Sequence, residues 1–255
     1  MSVKKKILIS LVIAFVALLV VSGIFTSIQR ENIAAYLDSR NVTSAELSKN
    51  IEKEKATLRE NLKGFIPDSM RDLTTDEEMM LISGQISQDE AHDLMGISDY
   101  VNENGSVKNN YDINSGAPNN GGNDGGLTNG TSARDIAAAK EAKISKAVTN
   151  ATAQLYSAKA LFLGKVGGIA NAAVSEFNAL PSSERTSSSK AAILSKYISK
   201  IGSIESQCDS RVNSILGTLE AQLESVGGDT AIVKQLQSSY ETEKAAEKSY
   251  YLNQI

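Results

Sequence analysis

Small and apolar side chains recur at steps of three and four along the C-terminal half of the chain. From Ile144 through Val148, Ala151, Leu155, Ala158, Phe162, Val166, Ile169, Ala173 and Phe177 to Leu180 the mean step is 3.6 residues, the α-helical period. A second run passes Leu194, Tyr197, Ile201, Ile204, Cys208, Val212 and Ile215 on its way to Val226, with the same spacing. A third is shorter: Val233, Leu236 and Tyr240, then Tyr251 after a polar stretch. Leu180-Pro181-Ser182-Ser183 stops the first helix and offers caps for the next, and Gly227-Gly228-Asp229 does the same for the second. Short connections make neighbouring helices antiparallel. Residues 132–255 are therefore expected to form an antiparallel bundle of two long helices and one shorter one, in an all-α protein.

Length adds an inference. The two long helices have about 45 residues each, near 65 Å, and the third about 23, near 35 Å. The third starts where the first starts, so it covers only that half of the pair. The distal half, 158–177 against 187–205, is left with an apolar side that needs a cover. The helix predicted over 33–62, a second copy or another protein could supply it, and a protein contact is expected at Phe162, Val166, Ile169, Ala173 and Phe177. Gly164, Gly167 and Gly168 lie in that stretch. An interior glycine costs about 1 kcal/mol against alanine, so three within five residues point to close backbone approach, a bend, or tolerated drift.

The other end of the chain has a different pattern. Lys4-Lys5-Lys6 precedes an uncharged apolar run that begins at Ile7 and ends at Phe25. At 1.5 Å per residue the run reaches about 28 Å, close to the roughly 30 Å of a bilayer core. That exceeds the usual signal-peptide core of about 7–15 residues, although Val21-Ser22-Gly23 is a passable cleavage site. Residues 1–30 are expected to be a signal-anchor that binds the membrane through Ile7 to Phe25. The tri-lysine start stays cytoplasmic, and the remainder is single-pass and extracytoplasmic.

Between these ends three segments are distinguishable. Residues 31–63 read as a charged membrane-proximal helix, opened by a capping box at Thr43 and Glu46 and striped by Leu47, Ile51, Leu58 and Leu62. Its Glu52, Lys53, Glu54, Lys55, Arg59 and Glu60 read as a solvated face, with a coiled coil as the alternative. Residues 64–101 read as a small helical module with capping boxes at Thr75/Glu78 and Ser87/Glu90. Met70, Met79, Met80, Met95 and His92 gather there. Met-x-x-Met spacing and a second His or Cys are missing, so a hydrophobic patch is expected rather than a soft-metal site. Residues 102–131 are rich in Asn, Gly, Ser and Asp and read as a disordered linker. Setting Gly105 as the central glycine of a calcium loop puts Tyr100 and Tyr111 at the terminal ligand positions, so that pattern fails.

Composition narrows the function classes. The net charge is −4, yet the first 30 residues carry four cations and no acid, so the rest carries −8 and offers no basic face to nucleic acid. Cys208 is the only cysteine, which excludes an internal disulfide; on the apolar stripe it reads as an inert core thiol. With one histidine, a nucleophile–histidine pair depends wholly on His92, which the linker separates from the bundle. Ser187-Ser188-Ser189-Lys190 matches a nucleophilic S-x-x-K string, but at a helix start it reads as capping serines. No catalytic residue, metal or cofactor is expected. The pattern fits a membrane-anchored extracytoplasmic interaction or scaffold protein. The alternatives are a secreted helical effector or surface component released by cleavage, and a small-molecule-sensing bundle.

Overall fold

A computed structural model describes residues 44–108 and 133–253. The apolar run from Ile7 to Phe25, residues 31–43 and most of the linker lie outside the described residues. Among the described residues no helix is long and apolar enough to cross a membrane. There are six α-helices in the described chain: α1 (Ser44–Asn61), α2 (Thr75–Ile82), α3 (Gln88–Leu94), α4 (Ala133–Ala179), α5 (Ser187–Ser225) and α6 (Ala231–Asn253), with a 3-10 turn at Ser182–Glu184. No strand occurs among the described residues; the only pairings of that kind are the isolated bridges Lys63 to Ile66 and Val101 to Val107.

The long helices run 47 and 39 residues and the last 23. Antiparallel pairing of α4 and α5 is fixed at both ends. Near the turn Lys196 pairs with Glu176 at 2.8 Å, and at the far end the Lys140 ammonium donates to the Gly227 carbonyl at 2.6 Å. α6 then runs parallel to α4, from Gly228 beside Ile144 to Glu243 beside Lys159. α1 runs antiparallel to α4: Lys55 meets Glu243, while the Phe65 carbonyl just past its end accepts from Ser145 and Thr149.

α4 is thereby the central helix. Every residue from 147 to 153 is buried, and alanines at 147, 151 and 153 let neighbours approach on several sides. One core cluster joins Leu58, Leu62, Val148, Leu219, Leu223 and Leu236 at the end covered by α6. The second joins the module to the distal half of the hairpin: Met70, Leu81, Met95 and Ile97 pack with Leu163 and Tyr197. The length mismatch between α6 and the long helices is real, and the cover of the exposed half comes from residues 64–101. Sequence periodicity could not place that module, because its helices have only eight and seven residues.

Gly167 marks the closest approach. A Cβ there would lie 2.2 Å from the Ile82 carbonyl oxygen at the end of α2, whereas Gly164 and Gly168 face open space. The start of the stretch read as linker is also packed. Gly105 holds φ +72°, and a Cβ on it would meet the Ser157 hydroxyl at 2.4 Å; Arg211 of α5 donates to the Asn104 carbonyl at 2.8 Å. A glycine-centred turn, favoured at positive φ, seats residues 102–108 against α4 and α5. Composition alone does not separate such a turn from a linker.

Candidate functional site: a buried ionic cluster against the central helix

The second capping box is formed as expected by Ser87 and Glu90. The first is displaced by one residue: Thr74 caps α2 and Glu77 closes the box. This one-step shift turns Thr75 and Glu78 inward. Thr75 donates through its amide and hydroxyl to Glu52 at 2.7 and 2.8 Å. Glu78 is fully buried between two ammonium groups, Lys55 at 2.7 Å and Lys159 at 2.5 Å. Lys159 of α4 also contacts Asp72 at 3.0 Å and Glu243 of α6. Lys55 additionally donates to the Leu73 carbonyl at 2.7 Å. Lys55, read as part of a solvated face, is in fact buried, because α1 packs along α6 with that residue turned toward α2 and α4.

Asp72, Glu78 and Glu243 place carboxylate oxygens within 4.8 Å of one another, a spacing that could hold a metal ion. The donor set does not fit one. The Lys159 ammonium is bonded to all three acids and fills the space an ion would take, and calcium needs about six to eight oxygen ligands. Burial alone would raise the Asp72 carboxyl, but Lys159, Lys55 and hydrogen bonds from Glu243 and Lys159 hold it below its usual range. Burial and Lys159 push the Lys55 ammonium down; Glu78, Asp72 and Glu243 outweigh them and raise it. Tyr156, one turn before Lys159, is pushed well above its usual value by burial and by Asp72 and Glu243. Arg71 and Glu77 form a bidentate pair at 2.7 Å beside the cluster.

Sequence reasoning missed this cluster, though a signal existed. Ser145, Thr149, Thr152, Tyr156 and Lys159 follow the same three-four spacing as the apolar stripe of α4, displaced by one residue. Thr149, Thr152 and Tyr156 are buried. The burial of these residues beside the apolar stripe makes α4 a helix packed on more than one side.

A second polar link lies nearby. His92 of α3 and Ser157 of α4 are both buried and share a hydrogen bond of 3.0 Å. The module is thus docked on the bundle, and the histidine has a fixed neighbour after all. The bond between these two buried side chains links α3 to α4. Burial pushes the imidazole below its ordinary 6.5; Asp89 and Asp93 oppose this, and Lys108 adds to it. The folded state therefore favours neutral His92. Stability should be unaffected above pH 6.5 and fall as the pH drops from there through the lower folded value. Melting temperatures across that range should show the loss in the wild type and not in His92→Gln. Ser157→Ala should cost about 1–3 kcal/mol by leaving the ring nitrogen unpaired.

The remaining sequence candidates are easily placed. Met70 and Met95 are buried in the module's core, Met79 is half-buried and Met80 exposed. Cys208 is half-buried beside Tyr240, and burial raises its thiol; it is not brought to His92. Ser189 forms the capping box of α5 with Thr186, and its hydroxyl also donates to the Glu184 carbonyl at 2.5 Å. Of the expected contact residues, Val166 and Ala173 are buried, while Phe162, Ile169 and Phe177 are half-buried against the cluster shared with the module. Comparison with protein-family models, with curated proteins and with solved structures finds no match.

Proposed function

We propose that this chain is a membrane-anchored, extracytoplasmic interaction or scaffold protein without catalytic activity. The observation that carries the reading is the closed ionic cluster. Five charged side chains from α1, the α1–α2 connection, α2, α4 and α6, two ammonium groups and three carboxylates, pair with one another in the interior. Its chemistry is spent on holding residues 44–108 to the central helix. The anchor is assigned to the run from Ile7 to Phe25, with a partner contact on the half-buried edges of Phe162, Ile169 and Phe177. Val21-Ser22-Gly23 motivates the second reading, a secreted helical protein released by cleavage.

In-cell photo-cross-linking of the C-terminally tagged full chain, with the probe at Phe162 or Phe177, tests the proposal. A stoichiometric cross-linked partner recovered from gently solubilised membranes is the expected result. Recovery of the chain from the medium, with a mature N-terminus after Gly23, would replace the anchored reading with the secreted one. A membrane-bound chain that cross-links to nothing would remove the interaction assignment.

A further inference from the structure

The distribution of charge and exposed apolar surface along the molecule is uneven. The module over 64–101 carries nine acidic residues and a single cation, Arg71. Asp72, Glu77 and Glu78 are used internally, but Asp76, Asp89, Glu90 and Asp93 are exposed. Met80 and Leu94 stand among them, each 38% exposed. Asp76 lies one turn before Met80 and Glu90 one turn before Leu94, so acid and apolar side chains share a face on each helix.

The first turns of α4 present the converse. The α5–α6 connection meets α4 at Lys140 and Ile144, which leaves the first turns of α4, residues 133–139, as an overhang among the described residues. Every residue from 134 to 143 is exposed, and Ile136 is 60% exposed. Arg134, Lys140, Lys143 and Lys146 outnumber Asp135 and Glu141, and the positive end of the helix dipole adds to the same sign. Ile136, Met80 and Leu94 are the exposed large hydrophobic residues among the described ones. They lie on two surfaces of opposite charge.

We propose that copies of this chain associate head to tail, the overhang of α4 and the lysine-bearing turns just behind it (residues 133–146) in one copy docking on the acidic module of the next. The two surfaces cannot meet within one copy. Ile136 is about 46 Å along the same continuous helix from Gly167, where the end of α2 touches α4, and about 32 Å from Ser157, where α3 docks. The contact joins different patches, so it is heterologous and open-ended, able to build a row of molecules rather than a closed dimer. The inference rests on reading the chain as an interaction protein, but not on any foreign partner.

The test uses the full chain in non-ionic detergent, followed by sedimentation velocity over a concentration series. The wild type should form species that grow with concentration. Its apparent Kd should weaken at least about tenfold between about 50 and 500 mM NaCl, where the screening length falls from roughly 14 to 4 Å. An overhang variant, Ile136→Asp with Lys143→Glu, and a module variant, Met80→Lys with Asp89→Lys, should each remain monomeric with unchanged helicity. Mixed in equal amounts they should form a one-to-one pair that grows no further, since each retains one intact surface. A wild type that stays monomeric at low salt overturns the proposal. So does association that survives in the variants or in high salt, which would assign it to the apolar N-terminal run. A monomeric chain that still captures a foreign partner would sink this inference and leave the interaction reading standing.

Discussion

Lys159→Met should lower the unfolding free energy by about 3–5 kcal/mol, the range seen when one partner of a buried charge group is removed. The side chain contacts Asp72, Glu78 and Glu243 at once. Without it only Lys55 remains against three nearby carboxylates, and Glu78 is fully buried. Burying charges is costly even when they are paired, so the cluster's net contribution to stability is small compared with the damage done by breaking it. The double variant Lys159→Met with Glu78→Leu should accordingly recover part of the loss. Urea titrations of the three proteins check both statements. A loss below about 1 kcal/mol in the single variant would mean that water reaches the acids and screens them.

The same groups set the pH profile. Glu77 is lowered from 4.5 to about 2, chiefly by its hydrogen bond to Arg71, and Asp72 is lowered from 3.8. A depressed carboxyl contributes stability that is complete above its unfolded value and is lost as pH falls through the folded one. Acid unfolding should therefore begin below pH 4.5 and steepen toward about 2. Lys55 is raised above 10.5. Its contribution is complete below that value and disappears as pH rises through the higher folded one. Between these limits the His92 loss should break the plateau below pH 6.5, and the raised Cys208 thiol and Tyr156 phenol should begin to erode it above pH 9.0 and 10.0.

The bundle was legible because α4 and α5 are long enough for periodicity to be read, and because Pro181 and Gly227 punctuate them. The need for a cover over the distal half was legible too, from helix lengths alone. Its source was not. The helices α2 and α3 have eight and seven residues, too few turns to show which face packs on what. The ionic cluster was hidden for a related reason. Its five members are 17 or more residues apart in sequence except for the pair Asp72 and Glu78. Each also reads as an ordinary surface charge until tertiary contacts place it. Thr74 and Thr75 offered two overlapping capping boxes, and the choice between them decides whether Glu77 or Glu78 points inward. Local pattern ranks the two alike. Packing of α2 against Lys55 and Lys159 selects the register that buries Glu78.

Gly167→Val should be the most damaging glycine substitution on the hairpin, costing about 3 kcal/mol, at the upper end of the range for overpacking. An added Cβ would sit 2.2 Å from the Ile82 carbonyl oxygen and 2.9 Å from its carbon, and both are backbone atoms that cannot rotate away. α2 would have to lift off α4, loosening Leu81 and Ile82 and lengthening the reach of Glu78 to Lys159. Helix propensity pulls the other way, since glycine is about 1 kcal/mol worse than alanine in a helix interior. That opposing term makes a controlled comparison possible. Gly164→Ala and Gly168→Ala, which meet nothing within 4 Å, should stabilise the protein by up to about 1 kcal/mol, whereas Gly167→Ala should destabilise it. The damage from Gly167→Val should also be local. Hydrogen exchange should rise across α2 and α3 while α4, α5 and α6 keep their protection, because the α6-covered core takes no residue from α2 or α3. Uniform loss of protection would show that the module and the bundle unfold as one cooperative unit. Stabilisation by all three alanine substitutions would show that α2 does not approach Gly167 closely, and the cover over Val166 and Ala173 would then have to be reassigned.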